Sequence, residues 1–195
     1  MQSIQLEPLE RIARALEAVG ISYMIIGGQA VLFYGEPRLT KDIDITLAAN
    51  VDDLARVLTA VELANLHPLV DPQKFVAQTM VLPCQDNASG LRVDLIFSFS
   101  PYEQQAIERA VRAQVGNTIV RFASAEDLII HKIIAGRERD LEDVERILRK
   151  RGDVDFSYIE NWLQQFATVI NAPLVEELEK IRSKVKGQES GRRVR

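Results

Sequence analysis

The chain has 195 residues, 47% apolar and 27% charged, with a formal net charge of −4. This is an ordinary composition for a soluble globular protein, and its acidic balance excludes a chain that holds nucleic acid by overall basic charge. No apolar run approaches the roughly 18 residues of a membrane span, no basic-then-apolar start marks a signal peptide, and Cys84 is the only cysteine, which excludes an intrachain disulfide and a cysteine-rich zinc site.

The elements follow in order. Leu9, Ile12, Leu16 and Val19 recur at helical spacing, so residues 7–19 are expected as a helix that Gly20 stops. Residues 22–27 read as a buried strand and 28–34 as a short helix, broken by Gly35-Glu36-Pro37. Residues 41–48 form a second strand, and Asp52 and Asp53 open a helix to about Leu63. His67-Pro68 to Pro72 reads as a connection. Strands are expected over 74–83 and 91–97, separated by Asp86-Asn87-Ala88-Ser89-Gly90, then a helix after Pro101. A strand over Val115–Phe122 includes a Gly116-Asn117 turn. Helices at about 125–150, 156–170 and 173–186 complete the pattern, with Ser124 and Asp127 resembling a capping box. Three segments are expected: an α/β core over 1–123, a helical region over 124–186 and a basic, disordered tail over 187–195. The fold class is therefore α/β (α+β), a small mixed sheet with helices followed by a helical region. Charge divides in the same sense, with a net −6 over residues 1–130 and +2 over 131–195.

Gly27-Gly28 ends the apolar run Tyr23-Met24-Ile25-Ile26, and Asp42-Ile43-Asp44 follows thirteen residues later. On a strand, residues two apart share a face, so Asp42 and Asp44 project together while Ile43 and Ile45 face the other way. Paired carboxylates repel unless a cation or proton lies between them. A hard divalent ion such as Mg²⁺ (or Mn²⁺) takes oxygen ligands and carries phosphates. Asp94, within Arg92-Val93-Asp94-Leu95-Ile96-Phe97, is a third strand acid. It is explained either by a solvated face or by completing a two-ion phosphoryl-transfer site, where it would also accept the proton of an attacking hydroxyl. The glycines allow close backbone approach to phosphates.

Gly-Gly, Asp-Ile-Asp and a separate strand Asp together resemble the nucleotidyltransferase superfamily with the DNA-polymerase-β-type catalytic fold. That resemblance implies nucleotide contacts at Gly27 and Gly28, and metal ligation and catalysis at Asp42, Asp44 and Asp94, with two ions and a bound NTP. Arg38-Leu39-Thr40-Lys41-Asp42-Ile43-Asp44 is further similar to AbiEii-like abortive-infection nucleotidyltransferases. So are Ser124-Ala125-Glu126-Asp127-Leu128, Lys132 and Arg139-Asp140-Leu141-Glu142-Asp143. This similarity implies a phosphate contact at Lys132 and a supporting role for Asp140, and Arg38 reads as a nucleotide contact just before the acids.

Each feature has a plainer reading. A helical lysine such as Lys132 can lie with its stem on apolar surface, and Arg137 to Asp143 can be a charged helix face. Thr40 reads as structural, His67 and His131 lack catalytic partners, and Tyr158 and Trp162 read as core of the helical half. The expected reaction moves an NMP from an NTP to an acceptor hydroxyl on RNA, protein or a small molecule, releasing pyrophosphate. The setting is the reducing cytoplasm, with no membrane partner. The enzyme could be the toxin of a toxin–antitoxin pair with an antitoxin partner protein. Alternatives are a small-molecule, antibiotic-type nucleotidyltransferase and a non-catalytic nucleotide-binding module on the same fold.

Overall fold

The computed structural model describes residues 6–35, 40–98 and 100–192. The chain divides into two compact units, Met1–Ser124 and Ala125–Arg195.

The first unit contains strands β1 (Tyr23–Ile25), β2 (Asp42–Ala48), β3 (Leu66–Pro68), β4 (Val81–Asp86), β5 (Arg92–Ser98), β6 (Val111–Val115) and β7 (Thr118–Phe122). Its helices are α1 (Leu6–Ala18), α2 (Gly27–Phe33), α3 (Leu54–Leu63), α4 (Pro72–Thr79) and α5 (Pro101–Glu108). The strands form one mixed sheet in the order β3-β4-β5-β2-β1-β7-β6. β2 runs parallel to β5 and antiparallel to β1, and β1 is parallel to β7. The mixed α/β architecture expected from the sequence is present.

Alternation along β2 builds both the core and the site. Ile43, Ile45 and Leu47 are fully buried on one face, each contributing about 1.5–3 kcal/mol of burial free energy. Val93, Leu95 and Phe97 do the same on β5. The intervening residues carry the acids. Arg11 of α1 forms an ion pair with the buried Asp86 at the end of β4. Asp86 also accepts bonds from Ser89 N and Oγ at 2.9 and 2.5 Å. Burial pushes the Asp86 pKa upward, but the Ser89 and Arg11 bonds outweigh it and hold the carboxyl below its usual range.

Four expectations need correction. Residues 74–83 are not one strand: Asp71 caps α4 by accepting from Lys74 N at 3.0 Å, Pro72 occupies its first turn, and left-handed Met80 ends it before β4. The cap and the proline set the local structure as helix. The connection at His67-Pro68 contains the short strand β3. The strand ending at Phe122 is half of a hairpin whose other half, β6, is an edge strand that alternates apolar and polar residues (Val-Arg-Ala-Gln-Val) but buries only Val115. The helix over 125–150 is two, broken at Gly136, whose φ of 63° lies in the left-handed region.

The second unit contains α6 (Ala125–Ala135), α7 (Glu138–Lys150), α8 (Phe156–Ile170) and α9 (Leu174–Arg192). Leu128, Ile129, Ile130, Val144, Ile147, Ile159, Leu163 and Leu178 are all fully buried. α9 continues past residue 186 to Arg192, so the part of the expected disordered tail that is described is helical. Tyr158 and Trp162 are half-buried on α8, and the Tyr158 hydroxyl donates to Asp127 Oδ1 at 2.8 Å. No described helix is long and apolar enough to cross a membrane.

Candidate active site

Parallel pairing of β2 with β5 sets Asp44 opposite Asp94 and Asp42 opposite Arg92. Three carboxylates and one guanidinium thus occupy neighbouring positions on one side of the sheet, all four clear of full burial. Arg92 Nε donates to both Asp94 oxygens, at 3.0 and 3.1 Å. Its pKa is raised, first by the Asp94 hydrogen bond and charge, and further by Asp42 and Asp44. The arginine is the resident counter-charge of the cluster. It stands two residues before Asp94, a same-face spacing visible in the sequence, yet only the acids drew notice there.

Thr40 has a defined task. Its Oγ1 donates to Asp42 Oδ1 at 2.7 Å and orients that carboxylate. Gly28 makes room for it: a Cβ on Gly28 would lie 2.5 Å from Thr40 Oγ1 and 2.7 Å from Thr40 Cβ. Gly27 makes room for the next acid. Its φ is 60°, and a Cβ there would lie 2.0 Å from Asp44 Oδ2. Ile26 N also donates to Asp44 O at 2.9 Å. The diglycine therefore packs directly on the Asp42–Asp44 segment. Gln29, two residues on, is buried with both amide atoms lacking a hydrogen-bond partner. Buried polar groups are rarely left this way.

A paired comparison isolates the role of Gly27. Gly27→Ala is expected to lose transfer activity at least about tenfold, because the left-handed backbone costs about 1–3 kcal/mol and the methyl displaces the Asp44 carboxylate. Gly20→Ala shares the positive φ, but its Cβ would meet nothing nearer than Arg56 Nη2 at 3.9 Å. It should lose stability and keep activity, as thermal melts and turnover assays on both variants would check.

The donor set is all carboxylate oxygen, which suits a hard divalent ion. Among the described residues no group of three His, Cys, Asp or Glu side chains is gathered closely enough to hold a metal ion as it stands. Both oxygens of Asp94 already accept from Arg92 Nε. Arg38 lies outside the described residues. Lys132 and Asp140 lie in the second unit and meet there. Lys132 Nζ, nearly buried, donates to Asp140 Oδ1 at 2.6 Å and to Asp143 Oδ2 at 2.8 Å.

The arrangement of the sheet is shared with solved structures. An antigenic nucleotidyltransferase-like protein from Paracoccidioides brasiliensis matches with a TM-score of 0.54 at 19% identity, over 75% of this chain and 77% of that one. The antibiotic-resistance factor ANT(2'')-Ia matches over all of both chains, with a TM-score of 0.52 at 17% identity. The lincosamide antibiotic adenylyltransferase LnuA, in its lincomycin-bound form, matches with a TM-score of 0.53 at 15% identity, over 77% of this chain and all of that one. No curated protein sequence matches the chain. The fold is that of nucleotidyltransferases. The chain belongs to the family described as "Nucleotidyl transferase of unknown function (DUF2204)", whose model matches residues 5–186, and it is accordingly a nucleotidyltransferase.

Proposed function

We propose that the protein transfers an NMP from an NTP to an acceptor hydroxyl in a metal-dependent reaction at Asp42, Asp44 and Asp94. The register of β2 on β5, which sets Asp44 opposite Asp94 with Asp42 beside them, carries this reading. A divalent ion (Mg²⁺ or Mn²⁺, two in the full reaction) would offset charge at the α-phosphate and on the departing pyrophosphate. Asp42 and Asp44 would be its ligands, oriented by Thr40 and by close packing on Gly27. Asp94 would exchange Arg92 for the ion and take the proton of the attacking hydroxyl. The new bond joins that oxygen to the α-phosphorus, and the α–β phosphoanhydride bond breaks as pyrophosphate leaves. Gly27 and Gly28 would let the main chain approach the triphosphate.

The acceptor classes are RNA, protein and small molecules. Similarity in fold to ANT(2'')-Ia and LnuA supports trying small antibiotics first. The sequence runs 38–44, 124–128 and 139–143, with Lys132, support an abortive-infection toxin in the cytoplasm, held by an antitoxin. The test is a matrix of four α-labelled NTPs with Mg²⁺ or Mn²⁺ against tRNA, total cell protein, aminoglycosides and lincomycin. One acceptor should become labelled, with pyrophosphate released and both signals lost in EDTA. No labelled product and no pyrophosphate across the matrix would overturn the proposal. Growth arrest on expression, absent in an Asp44 variant, would favour the toxin over the antibiotic-modifying reading.

A further inference from the structure

The sheet carries a second polar feature at the other end of β1. Gly27 lies two residues past the end of that strand, whereas Tyr23 begins it and Ser22 precedes it. There a cavity of about 350 Å³ is lined by Ser22, Tyr23, Arg112, Arg121, Glu17 and the Gly20-Ile21 turn. Arg112 and Arg121 are direct cross-strand partners in the β6–β7 hairpin. Like charges placed directly opposite each other destabilise a strand pair. Among the described residues neither guanidinium has an ion-pair partner, Glu17 included.

Tyr23 supplies an independent observation. Tyr23 is 1% exposed, and its O–H has no acceptor, although the Arg121 main-chain N–H approaches its oxygen. A buried hydroxyl that cannot donate costs about 1–3 kcal/mol. The charged groups acting on that phenol are Glu17, Arg121 and Arg112, the same three that line the cavity. Burial pushes its pKa up to about 12, with the Arg121 main-chain N–H acting in the opposite sense. At neutral pH the group therefore holds a proton to donate.

We propose that this cavity binds a phosphate group, with Arg112 and Arg121 supplying charge and the Tyr23 hydroxyl and Ser22 supplying hydrogen bonds. Two guanidiniums offer forked donors suited to phosphate oxygens. An anion between them would relieve their repulsion and give the phenol O–H an acceptor. Glu17 opposes binding, leaving one net positive charge.

The experiment titrates the ¹⁵N-labelled full chain with sodium pyrophosphate in EDTA, against a chloride-matched control. Saturable shifts are expected at Ser22, Tyr23, Arg112 and Arg121. Arg112→Gln/Arg121→Gln should weaken binding at least tenfold. Tyr23→Phe should weaken it several-fold while melting at or above the wild-type temperature, since it removes an unsatisfied hydroxyl. Asp44→Asn should bind as wild type, which separates this site from the catalytic acids. Absence of saturable shifts, equal affinity in the double arginine variant, or loss of binding in Asp44→Asn would each overturn the proposal. Displacement of pyrophosphate by a short single-stranded RNA would assign the phosphate to a polymer, and no displacement to a small ligand. Both results uphold the site.

Discussion

Asp44→Asn is expected to lower nucleotidyl transfer by about a thousandfold, or about 4 kcal/mol of transition-state stabilisation, while leaving the α/β unit folded. The substitution is isosteric, so the tight contact with Gly27 survives and no cavity opens. It removes one of three like charges near one another on the sheet. Without divalent ions the variant should melt at or slightly above the wild-type temperature, because repulsion falls. Mn²⁺ should raise the wild-type melting temperature by mass action and leave the variant's unchanged. Calorimetric melts with and without Mn²⁺, beside transfer assays, read both halves. Wild-type turnover by Asp44→Asn would remove Asp44 from the chemistry.

Lys132→Met should destabilise the helical unit by about 3–5 kcal/mol, the cost of removing one partner from a buried ion cluster. Asp140 and Asp143 are almost fully buried beside the Lys132 ammonium. Arg137 also pairs with Asp140, and Arg146 approaches Asp143 Oδ1 at 4.0 Å, so the acids are not wholly abandoned. Burial alone would raise the Asp140 pKa, but the hydrogen bonds from Lys132 and Arg137 hold it below the usual value. The sign follows: this group stabilises the fold above its unfolded pKa of about 3.9. The contribution is lost as pH falls through the lower folded value. Adding Asp140→Asn and Asp143→Asn to Lys132→Met should recover part of the loss, because neutral amides are cheaper to bury than unpaired carboxylates. Urea denaturation of the single and triple variants measures the difference. A triple variant weaker than the single one would show that packing, not charge, governs the cluster.

The parts of the molecule governed by short-range rules were legible in the sequence. Alternation over Asp42–Leu47 gave β2 and its two faces, and helical spacing gave α1. Phe156–Ile170 is the helix its residues imply. What escaped depended on partners distant in sequence. Whether Asp94 lay beside Asp44 required the parallel pairing of β2 and β5, which no local pattern encodes. The part Arg92 plays as counter-charge to Asp94 follows from its strand lying beside the carboxylates of β2. Thr40 seemed structural, and its work is structural, but on Asp42. The resemblance implied a phosphate contact for Lys132 and a supporting role for Asp140, not that the two meet each other. Their mutual burial, eight residues apart across the Gly136 break, follows only from the packing of α6 against α7. β6 does carry apolar–polar alternation, Val111-Arg112-Ala113-Gln114-Val115, but its place as the outer half of a hairpin follows only from its pairing with β7.

The helix that begins with the two glycines has only seven residues and no side-chain cap at Ile26. A helix that short does not persist in water by its own propensity. Its anchors lie at the far end: Phe33 stacks on Phe122 with centroids 4.4 Å apart, and the Tyr34 hydroxyl donates to Ala123 O at 2.7 Å. The glycine end is thus aimed by contacts made two turns away, at the close of β7. Trimming Phe122 should shake the Gly27–Asp44 contact without touching either residue. The setting of Asp44 therefore depends on an aromatic pair that carries no charge at all.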